Sequence, residues 1–175
     1  MPVIEAVAAS GIRVSVDTRK ASVAKAAVKA GATLINDVSA ALWPVAAEEG
    51  VGWVAMHMRG EPRTMQVDPH YDDVVTEVRD FLIERATRAT AAGVSEVWID
   101  PGIGFGKTQE HNLQLLRHLD RMVESVARHG GEPGCCGTCL DARGIGGDHL
   151  TKGARRSTLD ELADWTTWAD KVVTF

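Results

Sequence analysis

Four places in the sequence set a polar side chain at or just after the end of a short strand-forming run. They are Asp17 after Val14-Ser15-Val16, Asn36 with Asp37 after Leu34-Ile35, His57 with Arg59 after Trp53–Met56, and Asp100 after Val97-Trp98-Ile99. A carboxylate only accepts hydrogen bonds, whereas a carboxamide accepts and donates. Gathered around one ligand, such groups read the edge of a flat heterocycle and oppose positive charge developing on it. The last stretch continues as Pro101-Gly102-Ile103-Gly104-Phe105-Gly106-Lys107. Its alternate glycines let backbone approach a ligand closely, but the spacing of a phosphate-cradling Walker loop is missing. A purely structural reading makes the acidic residues caps of the following helices. That suits Asp17 or Thr18 and suits Asn36 and His57 poorly.

The elements that position these groups follow from periodicity and stop signals. Strands are expected at 12–16, 33–38, 53–58 and 96–100. Helices are expected at 3–10, 20–30, 44–49, 71–92 and 110–128, with Gly11, Gly31, Gly50 and Gly93 as terminators. Strand-helix alternation of this kind gives a parallel sheet, because parallel strands need crossovers of this length. Parallel strands place their C-terminal ends on one side, which is where α/β proteins bind ligands. The four polar strand ends are therefore expected on one rim. Beyond residue 129 glycines crowd the chain. There a weak strand over Pro133–Cys139 and a helix over Leu159–Val173 are expected, with loop or disorder between them. The reading divides the chain at 1–129 and 130–175.

At 175 residues and 45% hydrophobic, the chain is sized for one globular domain. A net charge of −5 gives no electrostatic case for nucleic acid. No apolar run reaches the roughly 18 residues of a membrane span, and Met1-Pro2-Val3 does not open a signal peptide. Cys135, Cys136 and Cys139 make no disulfide framework, so a cytoplasmic location is expected. Cys136 and Cys139 have the gap of a metal half-site, but no second pair completes it, and no metal ligands are assigned. Asp17-Thr18-Arg19-Lys20 lacks the glycine fingerprint of a nicotinamide dehydrogenase.

The chain resembles dihydropteroate synthase from about Pro2 to Val123. The resemblance rests on Ser15-Val16-Asp17-Thr18, Ile35-Asn36-Asp37-Val38, Met56-His57-Met58-Arg59-Gly60-Glu61-Pro62-Arg63-Thr64-Met65-Gln66 and Ile99–Thr108, followed by His111-Asn112-Leu113. It implies a TIM-barrel fold and a transferase of folate biosynthesis. That enzyme joins 4-aminobenzoate to (7,8-dihydropterin-6-yl)methyl diphosphate, giving 7,8-dihydropteroate with help from Mg²⁺. It also implies roles: Asp100 accepts from the pterin's adjacent N–H groups, and Asn36 matches its mixed edge. Asp17 is assigned to the positive charge that grows as diphosphate leaves. Met58 and Phe105 are candidate apolar walls, and Arg59, Arg63 and Lys107 candidate attractors of the diphosphate.

The resemblance covers four strand-helix units, matching the third to sixth strands of a barrel that needs eight and typically about 250 residues. The fold expected is thus α/β, a partial barrel with an irregular tail. No counterpart is found for the earlier strands, whose Asn holds Mg²⁺ and whose mobile loop closes over substrate. Pro133–Thr138 matches the seventh strand without its lysine, and nothing in Ala142–Phe175 matches the eighth strand's Arg-Val-His. Such a section has two open edges and an uncovered apolar face. Activity of this chain alone is therefore doubted, and a homodimer or partner-dependent protein is expected. Two alternatives stand beside the synthase: a non-catalytic pterin-binding remnant or subunit, and a pterin-binding methyltransferase, which Phe105–Thr108 and His111-Asn112 disfavour.

Overall fold

Each strand of the main sheet is joined to the next by a helix, so all of its strands run the same way. The computed structural model describes residues 1–131, 133–136, 140–141 and 146–158. The chain forms two compact units, Met1–Leu116 and Arg117–Phe175. In the first, β1 (Ser15–Asp17), β2 (Leu34–Asp37), β3 (Gly52–Met56) and β4 (Val97–Asp100) lie in sequence order in one sheet. Helices α1 (Pro2–Ala9), α2 (Ala21–Lys29), α3 (Trp43–Glu49), α4 (Val74–Ala91) and α5 (Gln109–Arg117) alternate with them. A doubly wound sheet reverses its strand order at a switch point. This one does not: it is an α/β parallel sheet with its strands in sequence order, an order compatible with the barrel section expected.

Register fixes which side chains share a face. Asp17 pairs with Asn36, Asn36 with Val54, Val54 with Trp98 and Met56 with Asp100. Side chains alternate along a strand, so these residues lie on one face and Ile35, Asp37, Trp53 and Ala55 on the other. The second face is the core: Ile35, Trp53 and Ala55 are fully buried, α3 and α4 contact the sheet, and Val45, Val74, Val78 and Leu82 of these helices are buried. The first face is more open, with Trp98 45% exposed. At its N-terminal end an ion pair joins Arg13 to Glu96. Gly52 makes room for it: a Cβ there would lie 2.8 Å from Glu96 Oε2 and 2.7 Å from Leu34 Cδ1.

Asp37 faces the core and is a structural hub. Its carboxylate accepts from Ser39 N–H and Oγ–H, from the amides of Ala41 and Leu42, and from Trp53 Nε1. The β2–α3 connection folds around this one fully buried group, whose cost of burial is offset only because its lone pairs are taken.

Two helices differ in their boundaries from expectation, for local reasons. Helix α4 begins at Val74, not Tyr71, because Asp73 adopts an extended backbone and caps the amides of Val75 and Thr76. The expected helix over 110–128 is two, α5 and α6 (Leu119–Arg128), separated at His118, whose φ of −110° and ψ of 29° leave the helical range. In α1 no residue is buried, and Val3 is 75% exposed.

The second unit contains α6 and a parallel pair, β5 (Gly134–Cys136) and β6 (Arg155–Ser157). The first of these strands lies within the one expected at Pro133–Cys139. The second corrects the reading of that region as loop or disorder: Arg-Arg-Ser carries no apolar alternation, and its pairing with β5 is what makes it a strand. Arg156 is paired with Asp141, and Gly153 sits where a Cβ would meet Ala127 of α6 at 2.3 Å. The helix expected over Leu159–Val173 lies outside the described residues.

Asp37→Ala leaves the buried Leu42 amide and the Trp53 indole without their acceptor. Urea unfolding is expected to show a loss of about 3 kcal/mol. Asp17→Ala, at an exposed position, is expected to cost under about 0.5 kcal/mol in the same assay.

Candidate functional site

Asp17, Asn36 and Asp100 stand at the C-terminal ends of β1, β2 and β4 and on the same face of the sheet. The first two touch, Asn36 Nδ2 donating to Asp17 Oδ2 at 3.3 Å. Asp100 lies one face-repeat nearer the rim. Its Oδ1 accepts from the amide of Gly102 at 2.7 Å, which orients the carboxylate and leaves Oδ2 with no partner among the described residues. Met58, two residues beyond Met56, is half-buried, and Phe105 is 36% exposed in the loop after β4. Neither has a recorded bond to the Asp17–Asn36 pair.

The polar strand ends therefore divide. Asp37 and His57 turn into the core, the first as the hub described above. His57 is 7% exposed, its ring edge-on to Phe81 at 5.0 Å.

The loop after β4 is held by its own Lys107 and by side chains from two other segments, the β3–α4 connection and α5. Lys107 Nζ donates to the carbonyls of Gly102 at 2.8 Å, Phe105 at 3.0 Å and His57 at 3.2 Å, and lies 3.1 Å from His57 Nδ1. Tyr71 Oη donates to the Gly106 carbonyl at 2.8 Å, Gln66 Nε2 donates to the Gly104 carbonyl, and Asn112 Oδ1 accepts from the Gly104 amide at 2.9 Å. Two of the glycines admit a neighbouring chain segment, not a ligand. A Cβ on Gly102 would lie 2.0 Å from the His57 carbonyl oxygen, and one on Gly106 2.2 Å from that of Arg59.

These contacts correct the expectation for Lys107 and bear on that for Arg59. Lys107 is 3% exposed and points into the loop, so it does not face a diphosphate. Arg59 is engaged with Glu77 at 2.8 Å and stacks 4.4 Å above the Tyr71 ring. Sequence reasoning missed Tyr71, Gln66 and Asn112. Gln66 and Asn112 lie in the stretches that carry the family resemblance and Tyr71 does not, and a side chain bonding to distant backbone leaves no periodic trace.

Burial sets the charges in this cluster. Desolvation, opposed by Asp100, lowers the Lys107 ammonium to about 8. Desolvation first, and then the Lys107 charge, lowers the His57 imidazole to about 4. Near neutral pH the ammonium therefore keeps its protons, and Nδ1 of His57 accepts, placing the ring proton on Nε2.

Comparison with known proteins shows what the chain is similar to. The family described as pterin binding enzyme matches residues 1–130. Dihydropteroate synthase of Mycobacterium leprae is 46% identical over 132 residues, which cover 70% of this chain and 46% of that protein. The Escherichia coli K12 enzyme is 43% identical over 126 residues, 68% of this chain and 45% of that protein. The crystal structure of dihydropteroate synthase from Thermus thermophilus superposes with a TM-score of 0.70 at 39% identity, covering 94% of this chain and 76% of that one.

The chain belongs to the dihydropteroate synthase family of pterin-binding enzymes. It spans about half the length of the curated family members it matches. Among its described residues no group of three His, Cys, Asp or Glu side chains comes together as a metal site. The described residues thus offer no ready cage for the Mg²⁺ that the resemblance implies. No described helix is long and apolar enough to cross a membrane.

Two outcomes are expected. Gly106 has a φ of +64° and a backbone oxygen 2.2 Å from where a Cβ would go, so Gly106→Ala is expected to cost about 3 kcal/mol in urea unfolding. Gly104 has a φ of +84° with nothing within 4 Å, so Gly104→Ala is expected to cost only about 1 kcal/mol. The second outcome concerns pH. The folded value of His57, about 4, lies below its ordinary 6.5. The unfolded chain therefore binds the proton first, and stability held above pH 6.5 is lost as pH falls towards 4, by about 3 kcal/mol in all. Urea midpoints measured from pH 7 down to 4 are expected to fall more steeply for the native chain than for His57→Gln.

Proposed function

We propose that this chain acts in the dihydropteroate synthase reaction, condensing (7,8-dihydropterin-6-yl)methyl diphosphate with 4-aminobenzoate to give 7,8-dihydropteroate. The observation that carries this is the common face and rim of Asp17, Asn36 and Asp100. Related Thermus thermophilus structures contain 4-aminobenzoate (TM-score 0.68, 37% identity) and 6HMPPP (TM-score 0.69, 39% identity). In this reading Asp100 accepts the two adjacent N–H donors of the amino-pyrimidinone edge with Oδ2 and the second lone pair of Oδ1. Asn36 meets the ring's mixed edge. Asp17 lies opposite the positive charge that grows on the pterin as its methylene C–O bond breaks and the electron pair leaves with diphosphate. The amine of 4-aminobenzoate then forms the C–N bond and gives a proton to solvent. Met58 and Phe105 form the apolar walls. Mg²⁺, which the resemblance implies, would screen the charge of the leaving diphosphate, with no described side chain assigned to hold it. The protein acts in the cytoplasm, as a homodimer or with a partner.

A second reading keeps the pterin site without turnover, as a binding remnant or subunit. The open face bearing Trp98 favours it. One pair of measurements separates the two: dihydropteroate formation from the two substrates, and pterin binding followed by fluorescence. The proposal expects product from the native chain, and a fall of at least about 100-fold in Asp100→Ala. Binding without product leaves the second reading, and neither binding nor product rejects both.

A further inference from the structure

We propose that Lys107 is the positioning residue for Asp100, its buried ammonium joining the loop after β4 to the loop after β3 and so fixing the carboxylate at the rim. The role given to Asp100 rests on the pterin-site reading above; the positioning itself rests on the contacts alone.

Gly102 is gripped from both sides. Its amide donates to Asp100 Oδ1 at 2.7 Å, and its carbonyl accepts from Lys107 Nζ at 2.8 Å. The same ammonium reaches the carbonyls of Phe105 and His57. Three backbone carbonyls from two loops thus aim at one point, where only a compact donor with three N–H bonds satisfies them together. Burying that charge is costly unless every proton is used, and here acceptors match or exceed donors. An exposed lysine would have left the loop free to move. This one is 3% exposed, and the His57 carbonyl it binds is the one pressed against Gly102. Phe105, whose carbonyl is also held, is fixed by the same contact.

Without the ammonium the three carbonyls face a cavity with no donor. The loop must then turn them outward, and the Gly102 amide goes with them. Asp100 would lose its orienting bond without losing any of its own atoms. That separates positioning from plain stabilisation, which would weaken the whole unit evenly.

Amide hydrogen exchange followed by NMR on the full chain, together with fluorescence titration with 6-hydroxymethylpterin, tests the proposal in native, Lys107→Met and Lys107→Arg proteins. Lys107→Met is expected to lower protection at Gly102 by about tenfold or more while Val78 and Leu82 of α4 change by less than about twofold. Pterin affinity is expected to fall by at least about tenfold. Lys107→Arg, whose planar fork cannot place three donors at one point, is expected to show the same pattern more weakly. It decides the matter if the methionine variant does not fold. Unchanged protection at Gly102, or protection lost equally in α4, overturns the proposal. So does a native chain that binds pterin and a variant, deprotected at Gly102, that binds it equally well. If the native chain binds no pterin yet Gly102 responds as expected, the pterin reading fails and the positioning of Asp100 stands.

Discussion

Parallel pairing in unbroken sequence order is the constraint on which this site depends. With a side-chain period of two, it sends Asp17, Asn36 and Asp100 to the open face, and Asp37 and His57 to the core. A slip of one residue in any strand would exchange the two sets. The buried Asp37 opposes such a slip in β2, because its five hydrogen bonds exist in one register only. The residue that defends the geometry is thus the immediate neighbour of Asn36, facing the other way.

The rim is completed by two loops that behave as one body. The loop after β3 lends its His57 and Arg59 carbonyls as walls against glycines, and the loop after β4 lends the lysine that binds back to it. A buried cation among carbonyls and a neutral imidazole is costly to assemble and costly to disturb. For the pterin site proposed above, the consequence would be preorganisation. A carboxylate already oriented by a backbone amide need not reorganise when a flat ligand arrives, so less of the ligand's binding energy is lost to ordering.

Much of this was legible in the sequence, and the reasons are physical. Strands such as Val97-Trp98-Ile99 announce themselves by residue type, and helix ends by Gly31, Gly50 and Gly93, so the four-unit α/β order could be read directly. That polar groups end the strands could also be read. Which of them turns inward could not, since Asn36 and Asp37 are adjacent and only the packing of Trp53 decides between them. Lys107 read as a candidate attractor of the diphosphate because sequence cannot say where a long side chain goes after a glycine turn. Strand β6 was invisible because Arg155-Arg156-Ser157 depends wholly on its partner.

The most direct test of the site is a ¹⁵N-resolved NMR titration of the native chain with 6-hydroxymethylpterin. Convergence of three side chains on one ring predicts that the Asn36 side-chain amide and the Gly102 backbone amide shift together and saturate at one ligand concentration. The Trp53 indole, on the opposite face, should stay in place. Shifts confined to the core face, or saturation of Asn36 and Gly102 at different concentrations, would contradict a single shared site.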